Sequence, residues 1–284
     1  VTGVQTCALP IYSIKKMMLS GALGCLISGM AYADGSSPQP VKPYWQDIQV
    51  VAVNKEKPRS SFMSYADRET ALTSRFEKSP YYSLLNGTWK FFFVDSYKDL
   101  PQNITDPSVN TSSWDDITVP GNWEVQGHGV AIYTNHGYEF KPRNPQPPLL
   151  PEANPVGVYR RDIEIPASRD NRDIYLHIGG AKSGLYVYLN GKEVGYSEDS
   201  KNPAEFLINK YLQPGKNVLT LKIFRWSTGS YLECQDFWRM SGIERDVFLW
   251  SQPKANIQDF RVVSTLDDTY TNGIFKLAVD LKNH

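Results

Sequence analysis

The sequence has little of the chemistry on which redox, metal-dependent or nucleic-acid-binding proteins depend. Its 284 residues include three cysteines and four histidines, and 30 basic residues balance 30 acidic ones. A net charge of zero excludes attraction of nucleic acid by the whole surface. The histidines are not spaced as metal ligands. We find no nucleophile elbow, zinc-helix motif, phosphate-binding loop or paired Cys-x-x-Cys. The common catalytic and metal-binding motifs are therefore missing.

The N-terminal residues are predicted to be a targeting segment rather than part of the fold. Residues 12–33 carry Lys15 and Lys16 near their start, continue in an apolar run from Met17 and end in Ala31-Tyr32-Ala33, the layout of a secretory signal. The run is slightly short for a membrane anchor, and Cys25 also allows a lipoprotein site. Residues 1–11 lie ahead of the basic start, so we expect a non-native leader there. A cleaved signal predicts export to the periplasm or beyond, with no membrane attachment afterwards.

The scarcity of cysteine also bears on how the exported chain is held together. Cleavage after Ala33 would remove Cys7 and Cys25 and leave Cys234 alone. No disulfide could then form within the mature chain. A single remaining thiol is more typical of a packed small residue than of a nucleophile.

Short β-rich segments separated by turns make up most of the remaining chain. Between two of them stands Asn190-Gly191, a strong hairpin signal because both residues accept a positive φ. Helix–strand alternation is lacking, and 66–76 is the best helix candidate. This pattern predicts an antiparallel β-sandwich. The predicted strands span residues 88–94, 156–165, 173–178, 185–189, 192–196, 218–224 and 246–250.

The pattern changes after Trp250, which suggests a domain boundary. Residues 257–263 and 274–281 predict two more strands, whereas an immunoglobulin-like sandwich needs about seven strands and ~100 residues. We therefore expect a proline-rich tether over 34–43, a first domain over 44–252 and an incomplete immunoglobulin-like domain over 253–284.

Two clusters combine aromatic and polar residues. In the first, over 119–140, Asn122 and Asn135 lie among aromatic residues. Amides offer sugar hydroxyls a donor and an acceptor together, and aromatic faces cover the C–H side of a sugar ring. A structural loop in which the asparagines satisfy the backbone remains the alternative. The aromatic residues are Trp123, Tyr133 and Tyr138.

The second cluster, over 225–246, contains Glu233 and Asp236. Two carboxylates can serve as the acid and nucleophile of a glycosidase, or they can bind a cation. Alternatively, this is a solvated loop whose acidic residues pair with neighbouring arginines. The flanking aromatic residues are Trp226, Tyr231 and Trp238.

Several ordered strings carry a family resemblance. They are YYSLLNGTWKF (81–91), IYTN (132–135), VGY…EDS…P.EF (194–206) and RWS.GSYLE.QDFWRMSGI.RDV (225–247). Together they resemble the N-terminal part of the glycoside hydrolase family 2 β-galactosidases. The resemblance implies a jelly-roll sugar-binding domain, then an immunoglobulin-like domain and a TIM barrel.

The resemblance also assigns roles to residues. It places the acid/base Glu, the nucleophile Glu and a Mg²⁺ site on the barrel, so no catalytic residue is expected in this chain. Asn135 matches a family asparagine that reaches into the active-site pocket. Asp236 matches an aspartate that contacts substrate and binds sodium, with its other ligands on the barrel. Cys234 stands where the family string has an acidic residue.

These matches imply an exported enzyme that cleaves terminal β-galactosides by a retaining mechanism, through a covalent glycosyl-enzyme intermediate. The resemblance also allows a homo-oligomer of the complete enzyme. Two alternatives stay open at this point, a stand-alone carbohydrate-binding module and a β-glucuronidase of the same family.

Overall fold

The structure, a computed structural model, describes residues 42–140 and 145–283. Within these two ranges all strand pairings are antiparallel, as predicted. The predicted leader and signal (1–33) and the tether as far as residue 41 lie outside the described residues. The strands are β1 (Ala52–Val53), β2 (Tyr82–Leu84), β3 (Gly87–Val94), β4 (Asp115–Val119), β5 (Gly121–Asn122), β6 (Ile132–Thr134), β7 (Val156–Glu164), β8 (Arg172–Ile178), β9 (Ala181–Lys182), β10 (Gly184–Leu189), β11 (Lys192–Ser197), β12 (Ala204–Leu207), β13 (Lys216–Phe224), β14 (Phe237–Arg239), β15 (Gly242–Ile243), β16 (Val247–Pro253), β17 (Ala255–Leu266) and β18 (Gly273–Asn283).

Two large sheets form the sandwich. The seven-stranded sheet has the order β1-β11-β10-β13-β7-β3-β4, and the four-stranded sheet has the order β12-β8-β16-β2. A three-stranded sheet, β5-β15-β9, lies at the end of β4 and β8, and β6 pairs with β14 as a separate two-stranded ribbon. β17 and β18 form a long C-terminal hairpin.

Alternation along the strands determines which side chains enter the core between the sheets. In β8, Ile174, Leu176 and Ile178 join this core, whereas Tyr175 belongs to a cluster on the opposite face. Leu185 and Val187 of β10 meet the β8 side chains from the other sheet in the same core. Successive side chains of a strand point to opposite faces, so each sheet contributes every second residue to this apolar core.

The described helices are short. α1 covers Arg68–Leu72, and the Asp67 side chain caps it by accepting a hydrogen bond from the Thr70 amide at 2.7 Å. The predicted helix over 66–76 is therefore too long, since Ser74 already adopts a positive φ of 55°, which an α-helix does not accommodate. Single 3₁₀ turns span Tyr44–Gln46, Phe76–Lys78, Tyr97–Asp99, Glu124–Gln126, Ala167–Arg169, Asn209–Tyr211 and Thr228–Tyr231.

The predicted hairpin turn is confirmed. Asn190 and Gly191 have φ values of 53° and 76°, and they connect β10 to β11 with Leu189 opposite Lys192. Two positive φ values give the turn the twist that antiparallel strands need.

The C-terminal hairpin leaves apolar side chains on its surface. β17 and β18 include the two predicted strands. Every second residue along part of β18 is an exposed apolar side chain, and this row consists of Phe275, Leu277, Val279 and Leu281.

Within residues 42–140 and 145–283, no helix is long and apolar enough to cross a membrane.

Candidate functional site

The β6–β14 ribbon (132–134 and 237–239) brings the two sequence clusters together. Its register pairs Phe237 with Thr134 and Trp238 with Tyr133. Asn135 directly follows β6 and Asp236 directly precedes β14, so the two positions lie at the same end of the ribbon. Strand pairing therefore joins the two clusters at this ribbon, although they lie about 100 residues apart in sequence.

The two faces of the ribbon differ in chemistry. Tyr133 and Trp238 lie on the outer face with 55% and 54% of their surfaces exposed, and their ring centroids are 5.6 Å apart. Asn135 and Asp236 are also exposed. Asn135 lies two residues after Tyr133, which is the same-face spacing of an extended chain, and Asp236 accepts a hydrogen bond from the Tyr133 hydroxyl. Two aromatic rings, an amide and a carboxylate therefore line one exposed surface.

Asp236 is held by its neighbour on the opposite strand. The Tyr133 hydroxyl donates a hydrogen bond of 2.8 Å to Asp236 Oδ1. This hydrogen bond and the carboxylate charge raise the pKa of Tyr133, because a phenolate beside a carboxylate is unfavourable. The tyrosine therefore stays a donor and directs one oxygen of Asp236.

Asn135 has a local contact. Its Oδ1 lies 2.6 Å from Nδ1 of His136. The side-chain amide nitrogen of Asn135 remains as the donor for a ligand, since the amide offers both functions.

Glu233 is not part of this surface. Its carboxylate accepts hydrogen bonds from the Ser200 amide at 3.0 Å and the Ser200 hydroxyl at 2.6 Å. Burial raises the pKa of Glu233, and the Ser200 hydrogen bonds partly oppose that rise. The catalytic-pair interpretation of Glu233 and Asp236 is not supported by this arrangement, because Glu233 is turned into the fold while Asp236 faces outward. Neighbouring Cys234 is half-buried, and its thiol contacts the Ser230 carbonyl oxygen at 3.4 Å.

Part of the first cluster is structural. Trp123 is fully buried in the core, and the Asn122 side chain donates to the Ser241 carbonyl at 3.2 Å. These two residues follow the structural-loop alternative, whereas Tyr133 and Asn135 are exposed. Periodicity could not separate them, because this segment has no regular alternation.

The described part of the chain does not by itself contain a complete metal site. Residues 42–140 and 145–283 contain no group of three or more His, Cys, Asp or Glu side chains that could hold a metal ion. The carboxylate of Asp236 suits a hard cation such as sodium, since oxygen ligands bind hard ions. One exposed carboxylate is, however, an incomplete coordination shell.

Comparison with known proteins identifies the architecture. Residues 82–253 match the model for "Glycosyl hydrolases family 2, sugar binding domain". The chain belongs to glycosyl hydrolase family 2. This match confirms the resemblance and the expected jelly-roll sandwich.

Curated relatives include β-galactosidases from several bacteria. The chain is 40% identical to the enzyme of Priestia megaterium over 85% of its own length, and 39% identical to that of Actinobacillus pleuropneumoniae over 82%. It spans only 24% and 22% of those relatives. The chain thus resembles about one quarter of a β-galactosidase.

Solved structures with the same fold include β-glucuronidases. One from Ruminococcus gnavus matches with a TM-score of 0.55 at 20% identity, over 72% of this chain and 33% of that one. One from Bifidobacterium dentium matches with a TM-score of 0.55 at 18% identity, over 72% of this chain and 36% of that one. At such identities these structures show the fold alone.

Proposed function

We propose that this chain is the N-terminal part of an exported, retaining β-galactosidase and supplies one wall of its substrate pocket. The observation that carries the proposal is the outer face of the β6–β14 ribbon, where Asn135 and Asp236 lie beside two exposed aromatic rings. This combination suits a galactosyl unit, whose hydroxyls need donors and acceptors and whose C–H face needs an apolar surface.

The catalytic carboxylates would come from outside this chain. A retaining glycosidase needs two carboxyl groups about 5–5.5 Å apart. In this cluster the Ser200 hydroxyl holds the Glu233 carboxylate within the fold, and the Tyr133 hydroxyl holds that of Asp236 on the exposed surface. We therefore propose that Asn135 and Asp236 bind substrate, while the acid/base and the nucleophile lie on a catalytic domain.

Sodium would bind at the second carboxylate oxygen of Asp236, with further ligands from the catalytic domain. When bound, the ion supplies a positive charge that orients a sugar hydroxyl. The Mg²⁺ of the complete enzyme would lie away from this surface. The complete enzyme is also proposed to act on galactose-containing oligosaccharides and to assemble as a homo-oligomer.

A galactoside is favoured over a glucuronide by the curated relatives. The β-galactosidases match at 39–40% identity, whereas the β-glucuronidase structures show only the shared fold. We therefore assign the β-galactosidase branch to the complete enzyme.

Kinetics with chromogenic substrates test the proposal. The complete protein should cleave a β-galactoside much faster than the matching β-glucuronide, and this chain alone should cleave neither. Asp236→Ala should reduce activity of the complete protein, while Asp115→Ala, which changes an exposed aspartate on β4, should not. Turnover by this chain alone that is lost in Glu233→Gln would contradict the proposal, as would a preference for the glucuronide.

A further inference from the structure

Two buried arginines lie under the β6–β14 ribbon. Arg225 directly follows β13 and Arg239 ends β14, and 3% and 1% of their surfaces are exposed. Burying a guanidinium is costly unless its donors find acceptors. The acceptors that these two arginines use therefore show what their positions stabilise.

Arg239 joins the two strands of the ribbon from its inner face. Its Nη1 donates to the Glu233 carbonyl oxygen at 3.0 Å, and its Nη2 approaches the Thr134 carbonyl oxygen at 3.5 Å. Thr134 directly precedes Asn135, and Glu233 lies three residues before Asp236. One planar guanidinium thus contacts the backbone close to both proposed substrate-binding residues.

Arg225 holds the other end of the same ribbon. Its Nη2 donates to the Val130 carbonyl oxygen at 2.9 Å and to the Arg239 carbonyl oxygen at 3.2 Å. Val130 lies just before β6, and Arg239 is the last residue of β14. Each arginine therefore connects the β6 side of the ribbon to the β14 side.

Buried carboxylates hold Arg225 in place. Its Nη1 lies 3.6 Å from Glu124 Oε1, and its Nη2 lies 3.8 Å from Glu139 Oε2. Glu139 in turn pairs with Lys182 at 3.2 Å, and Glu124 accepts the Ser241 amide at 2.8 Å. The contacts continue into the sandwich, since Lys182 lies on β9.

We propose that Arg239, supported by Arg225, is a positioning residue that sets the separation between Asn135 and Asp236. This inference rests on the proposed function. Neither arginine lies on the outer face, so each acts on substrate through the backbone of the ribbon. The buried guanidinium groups on the inner side of the ribbon would thus fix the distance between Asn135 and Asp236 on its outer face.

Lysine is a suitable replacement for the test. It keeps the positive charge but replaces a rigid, planar fork with a single flexible ammonium, which cannot hold two carbonyls at the separation that the fork sets. Arg169→Lys is the matched control, because Arg169 is equally buried at 1% exposure and its side chain bonds Ser83 on β2, away from the ribbon.

The experiment measures kcat/KM of the Arg239→Lys, Arg225→Lys and Arg169→Lys variants of the complete protein. A small displacement of binding groups can lower kcat/KM by up to about 100-fold. We expect a loss of about 10- to 100-fold for Arg239→Lys and none for Arg169→Lys. In the Asn135→Ala/Asp236→Ala background, Arg239→Lys should add less than threefold, because residues that act as a unit are not additive.

A second readout does not depend on activity. Hydrogen exchange of this chain should quicken at residues 132–134 and 237–239 in Arg239→Lys while the other strands stay protected. Unchanged exchange there, or a full additional loss in the double-variant background, would overturn the inference. If Arg239→Lys does not fold, Arg225→Lys replaces it in both the kinetic and the hydrogen-exchange measurements. Failure of the wild-type complete protein to cleave galactosides would instead refute the proposed function, and the exchange measurement would still decide the positioning role.

Discussion

Replacing Asp236 and Asn135 separately should reveal their different roles. Asp236 offers a charged acceptor whose second oxygen would hold a cation, whereas Asn135 offers a neutral amide. Hydrogen bonds to charged groups contribute about 1.5–3 kcal/mol and neutral ones about 0.5–1.5 kcal/mol. At about 1.36 kcal/mol per tenfold change in rate, Asp236→Ala should lower kcat/KM roughly 13- to 160-fold and Asn135→Ala roughly 2- to 13-fold.

Sodium separates the two roles further. Activity of the wild-type complete protein and of Asn135→Ala should rise with sodium, with potassium at equal ionic strength as the control. Asp236→Ala should show no such rise, because the proposed ligand is gone. Equal losses in the two variants, with the sodium response intact in both, would refute the assignment of Asp236.

Three further predictions concern Tyr133, the C-terminal hairpin and Glu205. In Asp236→Asn the pKa of Tyr133 should fall toward its ordinary value, as measured by NMR titration of fluorotyrosine-labelled protein; an unchanged pKa would contradict the hydrogen bond. A chain ending at Pro253 should be more soluble and melt more sharply, since it lacks the apolar row of β18; a lower melting temperature would show that the hairpin supports the sandwich. Glu205 on β12 accepts two hydrogen bonds of 2.9 Å from Arg59, and its Oε1 lies 2.8 Å from Nδ1 of His177. Burial alone would raise the pKa of Glu205, but the hydrogen bonds to these partners lower it, so its contribution to stability is present at neutral pH and lost as pH falls below about 4.3. Glu205→Gln should therefore cost about 3–5 kcal/mol at pH 7 and weaken the acid dependence of the melting temperature; equal acid dependence in both proteins would contradict this.

Local sequence patterns predicted much of the sandwich. Strong alternation in β8 and the Asn190-Gly191 turn depend on neighbouring residues alone, so both could be predicted. The extent of α1 could not, because Ser74 adopts a backbone conformation that its residue type does not require. The boundary between a first and a second domain near residue 253 remains a prediction.

The candidate site was only partly visible in the sequence. Family resemblance pointed to Asn135 and Asp236, and the ribbon brings both positions to the same end. Composition did not distinguish exposed Tyr133 from buried Trp123, since exposure depends on strand pairing about 100 residues away. Nor could it reveal the role of Arg239, because its acceptors are backbone carbonyls, which carry no sequence signal.

A crystal structure of the complete protein with a bound galactoside analogue tests the central claim most directly. We predict that the sugar lies on the outer face of the β6–β14 ribbon, with hydroxyls within hydrogen-bonding distance of Asn135 and of Asp236 or an ion bound to it. A sugar bound elsewhere, with this face turned to solvent or covered by another part of the protein, would contradict the account.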